Sequence, residues 1–229
     1  MSLIATLKAR TAAQKLAKGD AESAKKLYEE AIAGGLDDPR YLLSYSVLLI
    51  RDGEYQKARE FLVKLQNNRA LSGESKKQLY VNYAACVYKL GDLPKAIAVL
   101  EGQHAKDPSG MIYETLGYLY VEAGETEKAL KFNQEALEYD DEDPITLDNL
   151  GQTYYRMVGD KAKALEYFQK AHQLKPGQID TLYFLSQYDI ENGDRSAAKE
   201  KLESALEGRF SPLNFATKDK VNALLATLG

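Results

Sequence analysis

Residues 144–176 read PITLDNLGQTYYRMVGDKAKALEYFQKAHQLKP. Apolar and small residues recur at helical spacing on both sides of Gly159-Asp160. Leu147, Leu150, Gly151 and Tyr154 form one stripe, and Ala164, Leu165, Phe168 and Ala171 form the other. That spacing predicts two amphipathic helices joined by a tight turn. Glycine takes a positive φ at little cost and stops the first helix. The aspartate after it suits the N-terminus of the second helix, where backbone amides lack partners. Pro144 and Pro176 mark the two ends, since proline opens a helix or stops one.

The same glycine-plus-acid signature occurs six times: Gly19-Asp20, Gly53-Glu54, Gly91-Asp92, Gly124-Glu125, Gly159-Asp160 and Gly193-Asp194. The intervals are 34, 38, 33, 35 and 34 residues. Five residues after each glycine stands an alanine: Ala24, Ala58, Ala96, Ala129, Ala164 and Ala198. Six such agreements in phase define an internal repeat. The 38-residue interval places extra residues in Asn67–Ser75, which predicts a longer loop. One extra residue in Tyr154–Gly159 predicts a bulge or slack turn before that glycine.

These units resemble tetratricopeptide repeats, a family of 34-residue helix-turn-helix units. The resemblance is carried by Leu147, Leu150-Gly151, Tyr154, Ala164, Phe168, Ala171 and Pro176. It is repeated in Tyr113, Leu116-Gly117, Tyr120, Ala129 and Ala136, and again in Tyr80, Tyr83-Ala84, Ala96 and Pro108. It implies an all-α chain, a right-handed α-solenoid of about six helix-turn-helix repeats. The expected organisation is one superhelical domain over 1–229. Its repeats would be near 5–38, 39–72, 77–109, 110–143, 144–178 and 179–212, with a C-terminal capping helix near 213–228. Two units depart from the pattern. The first carries Lys8, Thr11 and Lys15 at positions that are apolar elsewhere, as suits an end repeat with one uncovered face. The sixth carries Asp189 where an apolar or aromatic residue is usual.

Composition narrows the function classes. The chain has 229 residues, 45% of them hydrophobic, enough to build a core without staples. One cysteine, Cys86, excludes a disulfide framework and a thiolate-rich zinc site. The start MSLIATLKAR lacks the segments of a secretory signal, which together with cysteine scarcity points to the cytoplasm. No apolar run approaches the roughly 18 to 20 residues that span a bilayer, so membrane insertion is not expected. A net charge of −4 argues against nucleic acid as partner.

No set of residues reads as catalytic machinery, and neither a cofactor nor a metal is expected. Cys86 sits among Ala84 and Ala85 with no histidine nearby in sequence, which fits a small packing residue better than a nucleophile. His104 and His172 fall late in second helices, where surface or helix-end roles are expected. The acidic run Asp140–Asp143 lacks the alternation and glycine of a calcium loop and reads as a solvated connection.

In the tetratricopeptide repeat family the first helices line a concave face that binds peptides or partner segments. Core positions of a first helix lie about 11, 8, 7 and 4 residues before the turn glycine, and positions about 13, 10, 6, 3 and 2 before it face the groove. The expected groove residues in repeat two are Arg40, Leu43, Val47 and Arg51, with Ile50 beside them. In repeat three they are Gln78, Val81, Tyr88 and Lys89, with Ala85. Repeat four gives Glu114, Tyr118 and Glu122, with Met111 and Val121. Repeat five gives Asp148, Gln152 and Tyr155, with Ile145 and Arg156. Repeat six gives Tyr183 and Gln187, with Asp180, Ile190 and Glu191. Asn82 and Asn149 fall at the groove margin, in a slot from which family members hydrogen-bond a bound peptide's backbone. Tyr88, Tyr118, Tyr155 and Tyr183 would form a ladder, and tyrosine suits interfaces. Charge divides along the chain: residues 1–109 carry 17 Lys and Arg against 13 Asp and Glu, and residues 110–229 carry 13 against 21. A partner segment with complementary ends would be steered into register. The family's carboxylate clamp for chaperone tails is incomplete, because Leu43, Ser44, Val81, Asn82 and Glu114 occupy the comparable slots.

The expected function is a non-catalytic scaffold or adaptor that binds a protein or peptide segment in this groove, as a monomer or weak homodimer. Two alternatives are a self-associating module and the interaction part of a larger enzyme or secretion complex.

Overall fold

A computed structural model describes residues 2–229. Among the described residues it contains thirteen α-helices. They are α1 (Leu3–Ala17), α2 (Ala21–Ala33), α3 (Pro39–Arg51), α4 (Tyr55–Leu65), α5 (Gly73–Lys89), α6 (Leu93–His104), α7 (Gly110–Glu122), α8 (Thr126–Tyr139), α9 (Pro144–Thr153), α10 (Lys161–Leu174), α11 (Ile179–Glu191), α12 (Arg195–Glu207) and α13 (Lys218–Ala226). The first twelve form six consecutive pairs. The helices group into two compact units, Met1–Leu100 and Glu101–Gly229.

The six turn glycines all lie in the left-handed region, with φ between 75° and 92°. In five of the turns the backbone N–H after the glycine donates back to a carbonyl in the last turn of the first helix and closes it. These bonds run from Asp20 to Lys15, Glu54 to Leu49, Asp92 to Val87, Glu125 to Tyr120 and Asp194 to Asp189. The acids then separate by length. The carboxylates of Asp20, Asp92, Asp160 and Asp194 each accept the backbone N–H three residues on. Glu54 and Glu125 make no such cap. The extra methylene carries their carboxylates outward to ion pairs, Glu54 with Lys25 and Glu125 with Lys128.

Both irregular intervals have a structural counterpart. The extra residue before Gly159 is absorbed by a single π turn, Tyr154–Val158, closed by the Gly159 N–H on the Tyr154 carbonyl at 2.9 Å. The longer interval after α4 gives the loop Gln66–Ser72 and lengthens α5 to 17 residues, against 13 in α3 and α7. Part of the insertion expected as loop is therefore helix.

Packing follows the repeat. All six alanines placed five residues after a turn glycine are fully buried. In repeats two to six the core phase holds, with Tyr45, Leu49, Tyr83, Val87, Leu116, Tyr120, Leu150, Tyr154, Leu182 and Leu185 all buried. Asp189 is half-buried and pairs with Lys201 of α12 at 2.6 Å, which accounts for an acid in that slot. Repeat one is different: α1 buries Ala5, Ala9 and Ala12 and leaves Leu3, Ile4 and Leu7 exposed. The C-terminal helix covers the last pair, with Val221 and Ala216 packed against Ile179, Leu182, Leu202 and Ala205.

Gly151 shows how little space separates the helices of a pair. A Cβ built there would lie 2.6 Å from the Phe168 ring of α10. Phe168 is itself fully buried and stacked 4.9 Å from Phe184, so it has no room to retreat. The Gly151→Ala variant is expected to lose about 1–3 kcal/mol of stability by overpacking, read as a lowered midpoint in urea unfolding.

Candidate functional site

The candidate site is the first-helix face, taken separately in each unit. In the Met1–Leu100 unit it is formed by α3 and α5. Arg40 is exposed and forms a two-point pair with Asp38, Nη2 to Oδ2 at 2.7 Å and Nε to Oδ1 at 3.1 Å. Arg51 is exposed and Val47 half-buried, while Leu43 and Val81 are almost wholly covered. Tyr88 and Lys89 are half-buried, with the Lys89 ammonium 5.4 Å from the Tyr88 ring. Gln78 and Asn82, one helical turn apart on α5, bond through Gln78 Nε2 donating to Asn82 Oδ1 at 2.8 Å. The Asn82 Nδ2 is buried without a partner. None of the groove-phase positions of α3 and α5 is an acid, so cations, apolar and aromatic side chains share this face, with the Asn82 amide donor covered beneath it.

In the Glu101–Gly229 unit the expected groove residues mostly bond to one another. Tyr118, Asp148, Asn149 and Gln152 are buried, the last completely. Arg156 Nη1 donates to Glu122 Oε1 at 2.8 Å and to Gln152 Oε1 at 2.9 Å. Gln152 Nε2 donates to Asp148 Oδ2 at 2.7 Å, and the Thr181 hydroxyl donates to Asp148 Oδ1 at 2.6 Å. This relay ties α7, α9 and α11 together. Asn149 Nδ2 donates to the Glu114 backbone carbonyl at 3.0 Å, so this asparagine is spent inside the protein. The Tyr155 hydroxyl donates to Gln187 Oε1 at 3.2 Å, and the Tyr155 ring packs edge-on against Phe184 and Tyr188. Tyr183 packs against Phe184 and Phe215.

Of the groove-phase acids of this unit, Asp148 and Asp180 are buried and Glu114 and Glu122 half-buried, while Glu191 is exposed and pairs with Lys161. Burial pushes the Glu114 carboxyl up to about 7, with repulsion from Asp143 adding to it. Asp148 and Asp180 are both raised, by burial first and, for Asp148, by repulsion from Asp180. Asp180 accepts three bonds from the segment after α12: Ala216 N–H at 2.8 Å, Phe215 N–H at 3.1 Å and Asn214 Nδ2 at 3.2 Å. Phe215 is the contributor that repeat spacing leaves out, because it lies beyond the last glycine-acid signature.

Cys86 is fully buried, and burial pushes its thiol up to about 12. His104 is the last residue of α6, and its ring packs edge-on between Tyr113 at 4.7 Å and Phe132 at 5.1 Å. Among the described residues no cluster of three or more His, Cys, Asp or Glu is placed to hold a metal. Among them, no helix is long and apolar enough to cross a membrane.

The helix pairs, the glycine turns and the buried alanines define a tetratricopeptide repeat protein. The sequence matches the tetratricopeptide repeat family over residues 6–138, and the chain belongs to that family. Proteins with this fold serve generally as non-catalytic scaffolds for protein–protein interaction. No curated protein matches the sequence significantly. Among solved structures, a thermophilic tetratricopeptide repeat protein of Thermus thermophilus is similar at TM-score 0.63 and 22% identity, over 77% of this chain and 94% of that one. The 41-end portion of MamA from Desulfovibrio magneticus RS-1 is similar at TM-score 0.60 and 26% identity, over 78% and 98%. PilW, a widely conserved type IV pilus biogenesis factor, is similar at TM-score 0.68 and 17% identity, over 98% and 100%.

Two outcomes follow from these buried groups. A carboxyl whose pKa is raised on folding stabilises most fully below the unfolded aspartate value of about 3.9, and that contribution is lost as pH rises through the folded value. The Asp148→Asn variant keeps an acceptor for Thr181 but sets an amide donor against Gln152; its thermal midpoint is expected to rise relative to that of wild type as the pH is raised from 5 to 8. Cys86 is expected to stay unreactive toward a thiol-specific disulfide reagent in the native chain and to react fully in denaturant.

Proposed function

We propose that this chain is a non-catalytic adaptor that holds a partner's extended segment on the α3–α5 face. The observation that carries the reading is Asn82, whose Nδ2 is buried without a partner. A buried donor left unbonded costs roughly 1–3 kcal/mol, so a carbonyl arriving on a partner's backbone recovers that loss. Asn149, in the equivalent slot, already has its carbonyl and offers no such gain. Around Asn82 the face supplies apolar contact at Val47, with Leu43 and Val81 almost wholly covered beneath it, an aromatic at Tyr88 and cations at Arg40, Arg51 and Lys89. The fitting partner segment carries acids interleaved with apolar side chains. Its charge would be attracted to the unit as a whole, in which residues 1–100 carry 16 Lys and Arg against 11 Asp and Glu. The solved structures named above support the fold at 17% to 26% identity, and the partner's chemistry is argued from this chain's residues alone.

A second reading, self-association, is favoured by α1. Leu3, Ile4 and Leu7 are 76%, 68% and 54% exposed on one helix end, which is unusual for large apolar side chains. Sedimentation of the chain across a hundredfold concentration range separates the two readings: a constant monomer mass removes self-association.

The adaptor reading is tested with an array of acidic, apolar-rich peptides. The best binder is then titrated against wild type, Asn82→Ala and the Arg51→Glu, Lys89→Glu double variant. Asn82→Ala is expected to weaken binding about tenfold, the worth of one hydrogen bond to a buried donor. The charge reversal is expected to weaken it further and to remove its salt dependence. Equal affinities for all three chains would count against the α3–α5 face.

A further inference from the structure

Between α12 and α13 the chain passes through residues 208–217 without helix. Counting about 34 residues on from the start of α11 reaches residue 213, where another first helix would begin. The chain instead lays Asn214–Ala216 on α11. The Asp180 carboxylate, only 5% exposed, takes the successive N–H groups of Phe215 and Ala216 and the Asn214 amide. The Phe215 ring stacks on Phe184 with centroids 5.2 Å apart and planes at 24°, and it meets Tyr183 at 6.1 Å. The Arg156 guanidinium lies 4.0 Å from the Phe215 centroid, held from behind by Glu122 and Gln152. Asp180, Tyr183 and Arg156 are all groove-phase positions. The segment also meets α13: Lys220 Nζ lies 3.5 Å from the Phe215 centroid and donates to the Phe215 carbonyl at 3.0 Å, and Ala216 shares a cluster with Val221, while Leu224 and Leu225 anchor α13 further along.

This arrangement has the parts of a peptide complex. One buried acceptor reads two consecutive backbone amides, an aromatic wall reads a ring, and a fixed cation covers that ring. We propose that α11 with Arg156 forms a second peptide-binding seat, held in cis by Asn214–Ala216. In trans it takes an extended segment presenting an aromatic side chain and two successive free N–H groups. The resident segment defines the ligand chemistry. Asp180 selects donors and would reject a segment that turned carbonyls toward it. The resident segment is tethered by a short linker, so its effective concentration is about millimolar, and an incoming segment has to outcompete it. The seat is distinct from the α3–α5 face and does not depend on that face being functional.

The test uses the full-length chain and a fluorescein-labelled peptide of residues 211–217, SPLNFAT, followed by anisotropy. Phe215→Ala is expected to bind this peptide at least tenfold more tightly than wild type, because the cis competitor has lost its ring. Adding Tyr183→Ala to that variant is expected to abolish the gain, whereas adding Asn82→Ala leaves it intact. The same peptide with alanine in place of phenylalanine is expected to bind neither chain. Equal affinity of wild type and Phe215→Ala, including no binding by either at millimolar peptide, overturns the proposal. So does equal binding of the two peptides. If Phe215→Ala unfolds less cooperatively than wild type, Asn214→Ala takes its place. That variant removes one donor from Asp180 and leaves the ring, and a gain of about threefold is then expected. No gain in that variant overturns the proposal as well.

Discussion

In each pair a glycine at positive φ reverses the chain, and five residues later an alanine with no exposed surface is pressed between the helices. The two demands reinforce each other. A side chain on the glycine would strain the left-handed backbone by about 1–2 kcal/mol, and a longer side chain at the alanine would force the helices apart. Gly117 and Gly151 extend the same close approach along the first helices. A Cβ at Gly117 would lie 2.1 Å from the Asn133 side-chain oxygen. Helices packed this closely leave their first members flanked on several sides. That is why α7 and α9 are buried through most of their circumference, groove-phase residues included.

Much of this was legible in the sequence because helical phase is a local property. Gly159 and Ala164 located a turn and a contact, and five repeats in register made the core positions countable. The extra residue before Gly159 announced the π turn, since a residue that cannot be looped out must widen one turn. Other features depend on contacts that no spacing encodes. Aspartate and glutamate share a place after the turn glycine, yet only aspartate is short enough to bond back to the third amide. In α1 the buried stripe is Ala5, Ala9 and Ala12, so the lysines expected at core phase face solvent. Three alanines pack α1 against α2.

Groove phase was legible as well, but vacancy was not. Asp148, Gln152 and Asn149 occupy positions that would point into an open groove, and all three are buried: Asp148 and Asn149 bond to neighbouring first helices, and Gln152 bonds to Asp148 and Arg156 of its own repeat. Knowing that a residue faces the groove does not say whether another residue of the chain reached it first. Phe215 is the clearest case. It lies outside the repeat signature and comes to rest between Arg156 and Tyr183 after the periodic pattern has ended.

Asn82 and Asn149 hold the same slot of their repeats and are bonded differently. Asn149 reaches the backbone carbonyl of a residue 35 positions earlier, a distance set by the repeat length. The interval leading into α5 is 38 residues, and the added residues form an extra helical turn before Asn82. Gln78, one turn before Asn82, satisfies the Asn82 oxygen, and Nδ2 is left without a partner. One asparagine thereby becomes an internal fastener and the other an unspent donor. Buried polar groups such as Asp148 and Asp180 contribute little net stability once desolvation is counted, so their value lies in fixing which segments sit against which helices. On the α9–α11 side that specificity is directed at the protein's own chain.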